Sequence, residues 1–205
     1  MAKSWTELRK RANLVFVIDV SGSMGEPVPS AGRSRLDLAK EAATAALPLL
    51  APDDTVSLWT FSTPQQGQDK PYRVMMPPGR VATIGEQYRR VIGGLVAEGG
   101  TALYTTTRAA VQQMRAAFDP TRINAVVLLT DGKNEYAADN NVDALVGDLQ
   151  TEDTARVVRV FPIAYGQSAD LKVLTDIARA TTAAAYDASD AASIKKVLIN
   201  VISNF

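Results

Sequence analysis

The chain has 205 residues, 46% hydrophobic and 21% charged, which suits one globular domain. Its 22 Lys and Arg balance 22 Asp and Glu, so net charge gives no reason to expect nucleic acid or an anionic membrane as partner. Cysteine and histidine are both absent; this removes disulfides, thiol chemistry and the usual general base, and leaves oxygen to hold any metal, which points to Mg2+, Mn2+ or Ca2+.

Residues 1–11 read as an amphipathic lead-in or linker and 12–205 as one domain. A signal peptide fits poorly, because the apolar run is short, ends in Asp19 and lacks a small-residue cleavage site. No run is long enough for a transmembrane helix. Residues 14–20 are near-continuously apolar, as in a strand buried on both faces. Residues 35–50 place Leu36, Ala39, Ala43, Ala46, Leu47 and Leu50 at helical spacing. Residues 55–61 form a second strand, and 72–76 a short one whose flanking prolines suit a sheet edge. Helices are expected over 81–96 and 103–118, a buried strand in "INAVVLLTDG", and a helix over 142–149. A strand in "VVRVFPIAY", a helix over 170–180, a short strand in "AAAYDA" and a helix over 190–204 complete the chain.

This alternation predicts a Rossmann-like α/β domain. Its sheet would be doubly wound and mostly parallel, with one short antiparallel edge strand and helices on both faces. Ligands in such sheets bind beyond the carboxyl ends of strands where strand order reverses. Asp19 and Asp131 both stand at such ends, and their carboxylates converge if the two strands are neighbours.

The stretch "DVSGSMG" sets Asp19, Ser21 and Ser23 two residues apart on a glycine turn. Phosphate binding finds no Walker loop and no G-x-G-x-x-G. A serine nucleophile lacks the G-x-S-x-G elbow and any histidine base. An EF-hand loop counted from Asp19 puts Met24 where glycine belongs and Ser30 where the bidentate glutamate belongs. An aspartate-nucleophile phosphatase of the haloacid dehalogenase type would need an acid where Ser21 stands. A metal site remains: Asp19, Ser21, Ser23, Thr101 behind the glycines of "EGGTALY", and Asp131 of "LLTDG" make an all-oxygen set suited to Mg2+.

D-x-S-x-S on the first strand, Thr after Gly-Gly, and T-D-G after a later strand together resemble the von Willebrand factor type A domain and its metal-ion-dependent adhesion site. The details "LWTFST", "GGTALY" and "VLINVISNF" are similar to bacterial members. The resemblance implies that Asp19, Ser21, Ser23, Thr101 and Asp131 serve Mg2+, with Mn2+ or Ca2+ as alternatives. It further implies a protein partner that supplies a carboxylate, and no turnover. It implies a surface-anchored or extracellular parent protein, some relatives joining this domain to a solute-binding-like one. The alternatives are an intracellular assembly module beside a chelatase- or chaperone-type ATPase and, ranked below it, the aspartate-nucleophile phosphatase. Neutral charge and missing heptads give no reason to expect more than a monomer.

Plainer roles stand beside these. Thr101 would also serve as N-cap of a helix starting at Ala102. Thr130 is expected to pack or hydrogen-bond locally. Glu26, Asn134 and Glu135 are expected to be solvated near the rim, Trp59 and Phe61 to be core, and Arg33 and Arg35 to decorate a loop.

Overall fold

The computed structural model describes residues 10–151 and 153–203. Nine of the eleven residues expected as lead-in lie outside that range. Arg11 already belongs to the first strand, where it pairs with Arg122.

Among the described residues the strands are β1 (Arg11–Asp19), β2 (Pro27–Val28), β3 (Arg33–Ser34), β4 (Thr55–Phe61), β5 (Tyr72–Arg80), β6 (Arg122–Thr130), β7 (Arg159–Tyr165) and β8 (Tyr186–Ala188). The α-helices among them are α1 (Arg35–Ala46), α2 (Val81–Gly93), α3 (Leu103–Ala116), α4 (Val142–Leu149), α5 (Leu171–Ala180) and α6 (Ile194–Ser203). Six strands make one sheet in the order β5-β4-β1-β6-β7-β8, parallel throughout except for β5. The expected Rossmann-like class is therefore observed. Among the described residues no helix is long and apolar enough to cross a membrane.

The apolar run of β1 is explained by burial on both faces. Leu14, Phe16 and Ile18 enter a core shared with α1, α2 and α6, while Val15 and Val17 enter a second core shared with α3, α4 and α5. Period-two alternation along one strand thus feeds two apolar layers. Trp59 and Phe61 lie in the second layer, as expected of core residues.

Several boundaries differ from the sequence reading. Helix α1 stops at Ala46, and a 3-10 turn carrying Pro48 follows over Leu47–Leu49; proline cannot donate the next helical hydrogen bond. Helix α2 ends at Gly93, with Gly94 as its cap. The edge strand β5 is not short: it runs for nine residues through Pro77 and Pro78. An edge position tolerates the missing N–H groups, and the pairing with β4 shifts register on both sides of Leu58. The last helix begins at Ile194, after a 3-10 turn over Ala191–Ser193. The two-stranded β2-β3 hairpin was not expected, since two-residue strands leave no periodicity to read.

Candidate metal centre

Strands β1 and β6 lie side by side and parallel, with Val17 opposite Leu128 and Ile18 opposite Leu129. Strand order reverses here, because β1 is followed by β4 on one side and joined by β6 on the other. Continuing the register one step beyond Ile18 sets Thr130 abreast of Asp19. The Thr130 hydroxyl accordingly donates to Asp19 Oδ2 at 2.6 Å. The other carboxylate oxygen accepts the Ser21 N–H at 2.8 Å, a short Asx-type turn that bends the chain out of the strand.

The turn continues as a 3-10 segment over Gly22–Gly25. It brings Ser23 Oγ to 3.2 Å from Ser21 Oγ, and Ser23 donates to Asp131 Oδ1 at 2.8 Å. Asp19, Ser21, Thr101 and Asp131 are all buried, while Ser23 is partly exposed. Ser23 is therefore the one of the five that reaches solvent, and the other four lie beneath it.

Thr101 comes from a third loop, held by backbone pairing to the first. Gly22 N–H donates to Gly99 O at 2.7 Å, and Glu98 N–H to Val20 O at 2.7 Å. Gly99 has φ +77°, which a side-chain-bearing residue adopts only with strain. Gly132 meets a different constraint: a Cβ there would stand 2.7 Å from Thr101 Oγ1. The residue after Asp131 must be glycine-sized for the threonine hydroxyl to sit against this loop. All five residues singled out in the sequence thus lie on three abutting loops. Among the described residues no group of three or more His, Cys, Asp or Glu is placed to hold a metal ion by itself. A cation here would rest on two carboxylates and three hydroxyls, a set that fits a hard ion retaining some water.

Burial dominates the electrostatics. The Asp19 carboxyl is pushed up to about 7 by loss of solvation, against the opposing hydrogen bonds from Thr130 and Ser21. Asp131 is also raised by burial, opposed by Ser23 and by Arg35. Bringing a dication to such a pair favours the ionised form. A pH dependence follows for the protein in chelator. From its ordinary value of 3.8 up to about 7, Asp19 keeps in the fold a proton that the unfolded chain has released. The folded state then binds more protons, so stability falls as pH rises through this window. Urea midpoints in chelator should be lower at pH 8 than at pH 5, and Asp19→Asn should lessen the difference. An equal slope in both proteins would contradict this origin.

Some neighbours behave differently from expectation, while Glu26 and Glu135 stay exposed as expected. The N-cap of α3 is Ala102, which makes no side-chain capping bond, so Thr101 has no capping role. The Thr101 N–H instead donates to Glu135 Oε2 at 3.1 Å, and the Thr101 carbonyl accepts the Glu135 N–H at 2.8 Å. Asn134 Oδ1 accepts from Tyr104 N–H at 3.3 Å. Glu135 and Asn134 therefore brace the threonine loop against the aspartate loop. Glu26 is paired with Arg35 at 2.8 Å, and Arg35 reaches Asp131 Oδ2 at 3.2 Å. Arg33 does remain outside, paired with Glu41. No local pattern marks Arg35 as part of the site, apart from the capping Ser34 before it, and nothing in the sequence gives Glu135, expected near the rim, its bond to Thr101.

The von Willebrand factor type A domain model matches residues 14–133, more than half of the chain, and the chain belongs to that family. Solved structures agree on the fold. A von Willebrand factor type A protein from Catenulispora acidiphila is 22% identical with a TM-score of 0.75, over 94% of this chain and 42% of that one. The pilus adhesin SpaC from Lactobacillus rhamnosus GG is 18% identical with a TM-score of 0.73, over 96% of this chain and 30% of that one. Proximal thread matrix protein 1 from the mussel byssus, with zinc occupying its MIDAS motif, is 18% identical with a TM-score of 0.67, over 93% of this chain and 48% of that one. This chain thus spans less than half the length of each of the three. No curated protein matches it.

Proposed function

We propose that Asp19, Ser21, Ser23, Thr101 and Asp131 hold a divalent cation, Mg2+ first and Mn2+ or Ca2+ as alternatives, through which the domain grips a carboxylate of a partner protein. The observation that carries this reading is the convergence of two buried aspartates and three hydroxyls where β1 and β6 end side by side. When bound, the cation supplies a coordination position that an outside Asp or Glu fills. Ser21, Ser23 and Thr101 would contribute neutral oxygens, which add no further negative charge to compete with that outside group. Asp19 and Asp131 supply the negative charge beneath. Thr130 and the Ser21 N–H orient the Asp19 carboxylate, and Glu135 holds the Thr101 loop in place.

The chain has no histidine to act as a base on a bound water, which favours a binding module over an enzyme. The pilus adhesin and the byssus matrix protein among its structural neighbours favour adhesion by a parent protein at the cell surface. Crystals soaked in Mn2+ and acetate test the reading. Anomalous density between Asp19 and Thr101, with an acetate oxygen on it, is the expected result. No density there would overturn it.

A further inference from the structure

Arg35 is the first residue of α1, and its place is set from several directions. Ser34 caps the helix by accepting the Asp37 N–H at 3.1 Å and donating to Asp37 Oδ2 at 2.7 Å, a reciprocal arrangement that fixes where the helix begins. The Arg35 carbonyl accepts the Tyr165 hydroxyl at 3.0 Å. Its side chain passes over Gly166, where a Cβ would lie 3.3 Å from Nε. One guanidinium nitrogen then meets Ser23 O at 2.8 Å, Glu26 Oε2 at 2.8 Å and Asp131 Oδ2 at 3.2 Å. The Arg35 side chain is 20% exposed and Asp131 1%, whereas Glu26 is 62% exposed. The Arg35 charge therefore acts on Asp131 with little screening, and solvent weakens the compensation from Glu26.

This bears on the proposed cation site and rests on that reading. Asp19 and Asp131 together match the formal charge of a divalent ion. Arg35 adds a positive charge and shares Asp131 with whatever cation binds there. We infer that Arg35 is a specificity-determining residue that keeps the loaded site cationic, lowering affinity for the bare cation and making its capture depend on an incoming carboxylate. Cation and carboxylate then bind cooperatively: each is held more tightly in the presence of the other.

Calorimetric titration of Mn2+ tests this with wild type, Arg35→Gln and Arg35→Lys, with Asp19→Ala as the blank, each with and without acetate. Arg35→Gln should bind Mn2+ on the order of tenfold more tightly than wild type. Acetate should strengthen Mn2+ binding in wild type and do so less in Arg35→Gln. Arg35→Lys keeps the charge and should stay close to wild type, which separates charge from packing. Equal or weaker Mn2+ binding by Arg35→Gln, with wild-type uptake intact and absent from the blank, would overturn the inference and leave the metal site standing. No uptake beyond the blank in wild type would overturn both. Should Arg35→Gln fail to fold, Arg35→Met removes the same charge while keeping most of the apolar stem, and should likewise tighten Mn2+ binding; equal or weaker binding would overturn the inference.

Discussion

Asp19→Ala should abolish the thermal stabilisation that Mg2+ confers on the wild-type chain. Asp19 is wholly buried, and its carboxylate is the deepest charge among the proposed ligands. A ligand that binds only the native state at a hundredfold excess over its dissociation constant adds about 2.7 kcal/mol. For a domain of this size that is a rise in Tm of about 5 to 10 °C. The substitution also leaves the Ser21 N–H and the Thr130 hydroxyl without their acceptor, and each buried donor so stranded costs about 1–3 kcal/mol. Removing a desolvated carboxyl offsets part of that cost. The informative quantity is therefore the difference between melts in Mg2+ and in chelator, taken within each protein. A clear rise in wild type and none in Asp19→Ala is expected. The same rise in both would place the ion elsewhere.

Phe16→Ala should have the opposite profile, with a large loss of stability and an unchanged response to Mg2+. Phe16 is 2% exposed in the central strand β1. Its ring meets Tyr88 edge to face, with centroids 6.4 Å apart at 64°. Truncating a buried phenylalanine costs about 3–5 kcal/mol, from lost transfer energy and the cavity left behind. Phe16 points into the layer beneath α1 and α2, whereas Val15 and Val17, and after them Asp19, belong to the opposite side of β1. The two effects should add, as for sites that share no partners. Urea unfolding in chelator and in Mg2+ would give a lower midpoint for the variant and an increment from Mg2+ like that of wild type. Loss of the increment in protein that is still folded would show that the aspartate depends on packing across the sheet.

These two residues also illustrate how much of the molecule is legible in its amino-acid order. The continuous apolar run around Phe16 signals a strand covered on both faces, because only such a strand has no solvent side to make polar. The three motifs containing Asp19, Thr101 and Asp131 are visible because glycine and hydroxyl residues at strand ends are local features. Helix ends are legible only where a local stop is given more weight than apolar spacing. Pro48 ends the run at Ala46, and Gly93 and Gly94 end α2, although apolar spacing continues past both. The length of β5 is hidden because Pro77 and Pro78 read as the end of an edge strand, whereas an edge position lets the strand run on through them.

The sequence by itself determined the class of the fold, the family and the oxygen chemistry available to the chain. Period-two and helical spacing are local consequences of burial, and the absence of His and Cys is a matter of composition. Tertiary structure alone decided that β1 and β6 are neighbours, so that residues more than a hundred positions apart meet in the Ser23–Asp131 and Thr130–Asp19 hydrogen bonds. It also decided that Arg35 belongs beside them and that Glu135, expected only near the rim, braces the Thr101 loop. Their side chains carry no signature of their own, and their roles come from the loops and helix start that crossover connections deliver to one end of the sheet.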